Sequence, residues 1–320
     1  MAVSMTVPAG APAFLDACGW GGAAIAPLAG DASFRRYFRV KGAQGRAVLM
    51  DAPPPHEDPR PFLRVARYLI ERGFRAPAIL GEDLREGLVL LEDFGDARMR
   101  EVLDDAPERE LEIYDACVGL LARLHEVEAA PVPDYGIAEL QREAGLLTEW
   151  FASAAHLTVD DADYRRVWAP LFERVAEGRK VTVLRDYHAE NVMLLPDGTL
   201  GLLDFQDALA GHPAYDLVSL LQDARRDVAP EVERAMLERY AALTGERDDE
   251  AYAILGAQRN AKIVGIFTRL WKRDGKPRYL DYLPRVWGYL ERDLEHPALT
   301  EVKAWFETNI PRDRRLLTAS

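Results

Sequence analysis

The stretch Leu184–Asp207 reads L-R-D-Y-H-A-E-N-V-M-L-L-P-D-G-T-L-G-L-L-D-F-Q-D, with Y-D-L following at Tyr215–Leu217. Four residues separate Asp186 from Asn191. An apolar β-hairpin then turns at Pro196–Thr199, and Asp204 stands at its far end. An Asp and an Asn at this spacing are common, and so is a D-F pair. Their conjunction with R-D before the gap, alternating apolar strands and a turn is specific. A hairpin with solvated acidic ends would not require that order. The arrangement suits phosphoryl transfer. One Asp orients or deprotonates an attacking hydroxyl, while an Asn and a second Asp hold magnesium against nucleotide phosphates.

On these residues the segment resembles the catalytic and metal loops of the aminoglycoside phosphotransferase and protein-kinase-like superfamily. Protein kinases write H-R-D-x-x-x-x-N and D-F-G there. Leu184 replaces the His and Gln206 the Gly, which excludes an ordinary protein kinase. The resemblance implies an α+β, bilobal protein-kinase-like fold with a small β-rich N-lobe and a larger, mainly helical C-lobe. It also implies catalytic roles for Asp186, Asn191 and Asp204, with Asn191 and Asp204 as metal ligands and ATP and Mg2+ as cofactors. Asp216 matches an aspartate that braces the catalytic loop. An acid in the first turn of a helix is also favoured by the helix dipole, and both readings are structural.

Outward from this segment, the two halves differ. Residues 11–19 fit a short helix, and 34–40, 47–50, 77–80 and 87–92 fit strands. Asp58 and Pro59 open a helix whose apolar positions Phe62, Val65, Ala66, Leu69 and Ile70 recur at helical spacing until Gly73. After L-L-E-D-F-G-D (Leu90–Asp96) the pattern becomes helical, at 107–128, 138–154, 162–177, 213–223, 229–243, 248–272 and 296–308. The expected division is therefore 1–91 and 92–320, with a hinge at about 90–96 and the hairpin as the only clear β element of the second half. His125 shares an apolar helical face, which suits a hydrogen-bonded core histidine.

The nucleotide side is less regular. Gly30–Val40, G-D-A-S-F-R-R-Y-F-R-V, falls where the superfamily covers the phosphates, with Ser33 and Phe34 matching in type and Ala32 and Arg35 replacing glycines. The phosphate-binding lysine is expected at Met50, and methionine cannot pair with phosphate. Strand alternation puts Arg35, Tyr37 and Arg39 on one face. If Tyr37 roofs the adenine, Arg35 points to the phosphates, with its planar fork as the replacement cation and Arg36 close behind. Either charge read singly also fits a solvated strand. Val48 completes the expected nucleotide contacts, with the carbonyl of Glu92 and the amide of Phe94 at the hinge. No helix glutamate is assigned.

For the acceptor, four stretches together resemble the bacterial anomeric N-acetylmuramate/N-acetylglucosamine kinases: G-D-A-S-F-R-R-Y-F-R, L-M-D-A-P-P-P, L-R-D-Y-H-A-E-N, and G-I-F-T-R-L-W-K-R-D-G-K-P-R-Y-L. That family also lacks lysine at the Met50 position. The resemblance implies ATP-dependent transfer of a γ-phosphate to the C1 hydroxyl of an amino sugar. His188, Asp223, Arg225, Arg269 and Trp271 are the candidate sugar contacts, with Arg225 against a lactyl carboxylate and Trp271 against a sugar face. Ordinary helix packing and surface charge are the simpler account of most of these. Two other readings stay open: a kinase of the same superfamily for an aminoglycoside or amino alcohol, and a nucleotide-binding pseudokinase motivated by Met50.

Composition agrees with a globular protein. The chain has 320 residues, 48% of them hydrophobic, and a net charge of −13. That balance excludes the basic footprint of a duplex nucleic-acid binder and argues against an anionic membrane surface. Cys18 and Cys117 form no disulfide framework or zinc pattern. With no signal sequence and no run of about 20 apolar residues, a cytoplasmic monomer with a small-molecule partner is expected.

Overall fold

The computed structural model describes residues 6–28 and 35–318. In chain order the elements are α1 (Ala11–Ala17), β1 (Ala24–Leu28), β2 (Arg36–Gly42), β3 (Gly45–Asp51), α2 (Arg60–Glu71), β4 (Ile79–Asp83), β5 (Leu88–Glu92), α3 (Met99–Asp105), α4 (Glu110–Glu126), α5 (Ile137–Ala144), α6 (Asp161–Ala176), β6 (Val181–Val183), β7 (Val192–Leu194), β8 (Leu200–Leu202), β9 (Leu209–Gly211), α7 (Ala214–Leu221), α8 (Pro230–Thr244), α9 (Asp249–Lys272), α10 (Leu283–Asp293) and α11 (Thr300–Asn309). They form two compact units: residues up to Asp105 together with Glu190–Asp207, and Ala106–Ala189 together with Ala208 onward. This partition differs from the expected one. The first unit runs past the hinge and reclaims the β7–β8 hairpin, because backbone bridges Arg75–Gly201 and Arg98–Met193 tie that hairpin to its chain.

In the first unit, five antiparallel strands lie in the order β1-β2-β3-β5-β4. Alternation divides the sheet into two faces. Phe38, Val40, Ala47, Leu49, Leu88 and Leu90 point one way and bury against Phe14, Leu15 and Trp20. Tyr37, Arg39, Val48, Met50, Val89 and Leu91 point the other way, since Tyr37 pairs with Met50, Arg39 with Val48, and Met50 with Val89. Helix α2 begins at Arg60, and the Asp58 carboxylate accepts from the Arg60 backbone N–H at 3.0 Å. Its apolar stripe includes Phe62, whose ring stacks on Phe205 with centroids 5.0 Å apart.

The second unit is built around α9, a 24-residue helix of about 36 Å. Eighteen of those residues are buried, so the helix is surrounded on nearly every side. Gly265 is required where the chain at Leu146 crosses α9, because a Cβ there would meet the Leu146 carbonyl oxygen at 2.3 Å. The expected helix over 138–154 is broken into α5 and a π-helical turn, Leu147–Ala152. Helices α3 and α10 were not expected. Nor was the small β6–β9 ladder, in which Val181 pairs with Gly211. At three residues each, these strands give too short an alternation to read. His125 is a core histidine, its Nδ1 2.7 Å from the Tyr240 hydroxyl.

Candidate active site

The second unit holds the candidate base. Strand β6 delivers the chain to Leu184 and Arg185, whose backbone N–H groups donate to the two oxygens of Asp216 at 2.6 and 2.9 Å. Asp216 is fully buried in the first turn of α7, so it braces the loop through the backbone as the motif implied. Arg185 adopts a left-handed φ of 71°, a strained conformation for a non-glycine residue. The turn this makes sets the direction in which Asp186 follows. The loop's far end is fixed by the Ala189 N–H donating to Asp223 at 3.2 Å.

Asp186 is half-buried, yet its carboxyl is held below the usual range. Burial alone would raise it; Lys262, His188, Arg185 and Arg259 together overcome that. The cations are themselves organised. Glu143 of α5 receives Lys262 at 2.8 Å and pairs with Arg185, while the Tyr135 hydroxyl donates to its other oxygen. Burial pushes the Glu143 carboxyl up, but Lys262 and Arg185 pull it down to about 2. Arg259 donates to the Ser219 hydroxyl at 2.9 Å, and Ser219 donates to the Arg185 carbonyl at 3.0 Å. This network keeps the half-buried Asp186 carboxyl ionised. Sequence reasoning missed Glu143, Arg259 and Lys262. The available signal was their charge at positions that helical spacing places on a buried face.

Of the expected sugar contacts, His188, Asp223 and Arg225 come together. Burial depresses His188, and Asp223 and Arg225 are its nearest charged influences, with opposite signs. The Arg225 guanidinium lies 5.7 Å from the Phe267 ring centroid. Arg269 meets a different set, Arg273, Asp274, Glu149 and Arg142, and burial lowers its pKa. Trp271 carries the Lys272 ammonium 3.7 Å from its ring centroid.

The first unit holds the candidate cation ligands. The β7–β8 ladder pairs Val192 with Leu202, and the Leu203 N–H donates to the Asn191 carbonyl at 2.9 Å. Asn191 and Asp204 are thus brought to the same end of one hairpin. Phe94 packs on β8 where a Cβ at Gly201 would lie 2.7 Å from its ring. Asp204 has a left-handed φ of 58°. Phe205, stacked on Phe62, holds it from behind. Gln206 does more than replace a glycine: its side-chain amide donates to Asp204 at 2.7 Å and to Asp207 at 3.2 Å. Among the described residues, no group of three or more His, Cys, Asp or Glu side chains could hold a metal. The donor set fits magnesium, which is commonly held by one or two carboxylates with substrate phosphates completing its shell.

On the nucleotide face, Ser33 and Phe34 lie outside the described residues. The register pairs Tyr37 with Met50 and Arg39 with Val48, so all four share one face of the sheet. Burial raises the Tyr37 phenol, the neighbouring Arg35 opposes this, and Asp204 adds to it, which places Tyr37 beside the cation-holding end. Arg36 is on the opposite face from Arg35, where its Nε donates to the buried Asp51 at 2.8 Å. A partner on that face removes it from the phosphate side. Arg35 is on the expected face and bonds Glu57 at 3.1 Å. At the hinge, the Glu92 carboxylate accepts from Arg75 at 2.9 Å, and Asp93 accepts from Arg39 at 2.9 Å.

Residues 24–255 match the family described as "Phosphotransferase enzyme family". The chain belongs to the phosphotransferase enzyme family. It is 38% identical to the N-acetylmuramate/N-acetylglucosamine kinase of Caulobacter vibrioides, over 98% of this chain and 100% of that one. It is 39% identical to the protein of the same name from Pseudomonas aeruginosa, over 90% and 93%. In fold, a choline kinase from Streptococcus pneumoniae superposes with a TM-score of 0.64 at 14% identity, covering 87% of this chain and 93% of that one. The gentamicin-APH(2")-IIa complex gives 0.62 at 14%, covering 93% and 99%. These likenesses establish a kinase-like fold with a small antiparallel sheet and a larger helical part. No helix among the described residues is long and apolar enough to cross a membrane.

Proposed function

We propose that this phosphotransferase moves the γ-phosphate of ATP to the anomeric C1 hydroxyl of N-acetylmuramate or N-acetylglucosamine, with magnesium as cofactor. The observation that carries the reading is a half-buried Asp186 kept ionised by Lys262, His188, Arg185 and Arg259, on a chain whose curated relatives are named N-acetylmuramate/N-acetylglucosamine kinase. Asp186 accepts the hydrogen bond and then the proton of the sugar hydroxyl. An anomeric hydroxyl is more acidic than an ordinary sugar alcohol, so a carboxylate of low basicity suffices. Asn191 and Asp204 hold the cation, which when bound neutralises charge developing between the β- and γ-phosphates. Arg35 adds a donor on the nucleotide face. His188, Asp223 and Arg225 bind the sugar, and Arg225 is the group suited to a lactyl carboxylate.

The intact Asp186, Asn191 and Asp204 set weighs against a pseudokinase. Phosphorus NMR of the protein with ATP, magnesium and either sugar tests the proposal. A sugar α-1-phosphate signal, absent in Asp186→Ala, is the expected outcome. Nucleotide binding without any sugar phosphate would overturn the acceptor.

A further inference from the structure

Glu57 lies in the loop before α2 and belongs to no motif, yet it holds Arg35, the residue that leads into β2. Arg35 Nε donates to Glu57 Oε2 at 3.1 Å, and the two side chains keep only 12% and 16% of their exposure. Arg35 is within hydrogen-bonding reach of Tyr37 and Coulombic reach of Asp207, and Tyr37 stands beside Asp204. A cavity of about 560 Å³ is lined by Arg35, Glu57, Asp207, His56 and Arg60. The usual lysine position, Met50, is fully buried. Helix α2 carries its one glutamate at Glu71, the last position. The ordinary strand-lysine and helix-glutamate pair is therefore unavailable.

An ion pair this enclosed is more ordered than the exposed pairs that contribute little. Its geometry also solves a problem. Arg35 has acidic neighbours on the cation side, and a direct pairing with Asp204 would occupy a carboxylate meant for metal. A carboxylate on the Nε edge fixes the plane in which the terminal nitrogens present their donors.

We propose that Glu57 is a positioning residue of the nucleotide site, and that Arg35 with Glu57 does for the phosphates what a strand lysine with a helix glutamate does in protein kinases. The proposal rests on the nucleotide half of the function above, not on the identity of the sugar. The test is calorimetric titration of magnesium–ATP into the wild type, Glu57→Gln, Arg35→Ala and the double variant, with steady-state kinetics for both substrates. Glu57→Gln should weaken nucleotide affinity and raise the KM for ATP by about tenfold, leaving the sugar KM unchanged. The double variant should bind no more weakly than Arg35→Ala alone, since the two residues act as a unit. Unchanged nucleotide affinity, additive losses, or an effect confined to the sugar KM would each overturn the proposal. Should Glu57→Gln lose its thermal transition, Glu57→Asp takes its place, with partial rescue expected and wild-type-independent affinity equal to that of Arg35→Ala overturning the idea. A wild type that binds nucleotide but phosphorylates neither sugar defeats the acceptor assignment, while the calorimetry still decides Glu57.

Discussion

Asp186 and Asp204 are the same residue type in one short stretch of chain, but they are supported in opposite ways. Asp204 depends on local means: a hairpin register, a left-handed backbone, the next residue's ring stacked on Phe62, and the Gln206 amide two positions on. Asp186 depends on distant ones. Its loop hangs from Asp216 of α7, and its charge balance involves Arg259 and Lys262 of α9 and, through Lys262, Glu143 of α5. The difference follows from the roles proposed for them. A cation ligand needs geometry and gains its electrostatics from the cation. A proton acceptor withdrawn in part from water needs its electrostatics built into the protein.

The largest break in this comparison is Asp186→Asn, which keeps the shape and removes the base. Transfer should fall by about 10²–10⁴-fold while magnesium–nucleotide affinity, read by calorimetry, holds. Next is Asp204→Ala, which should reduce transfer by about 10²–10³-fold and, unlike the first variant, abolish the magnesium dependence of nucleotide binding. Lys262→Met sharpens the contrast. It touches only the distant support, so kcat should drop about tenfold through a loosened loop. With the strongest opposing cation gone, the Asp186 pKa should rise, and the acid limb of kcat/KM should move to higher pH. An unmoved limb would show that Lys262 is packing alone.

The smallest effect lies away from both aspartates. Burial pushes Asp293 up to about 8, against hydrogen bonds from Gln222 and Asn260. Its folded carboxyl keeps a proton that the unfolded chain releases near pH 4. Stability should therefore decline as pH rises between those two values. Asp293→Asn should flatten that slope in thermal melts without changing kcat.

Legibility in the sequence divides along the same line. The β7–β8 hairpin, the brace from Asp216 and the grouping of His188, Asp223 and Arg225 could be read because each follows from neighbours within a few turns of chain or from a motif. Alternation shows which residues share a face but cannot set the register with β3, so the pairing of Tyr37 with Met50 could not be read from it. Arg36 was misread for a related reason: Asp51, its partner, is adjacent only once β2 and β3 pair. Lys262 and Glu143 were invisible because a buried salt bridge between α5 and α9 leaves no spacing signal, only charge where periodicity asks for none.

The first compact unit is discontinuous in the chain, and this has a consequence during synthesis. A ribosome finishing Asp105 has made the sheet and α2 but not the hairpin that carries Asn191 and Asp204. Residues 106–189 must follow first, several seconds of elongation at about 5–20 residues per second. Until then Phe62 has no Phe205 to stack on and Arg75 has no Gly201 backbone to bridge. The nascent N-terminal unit is consequently an open receptor awaiting its own insert. A fragment ending at Asp105 should capture a synthetic Glu190–Asp207 peptide rather than stand complete by itself.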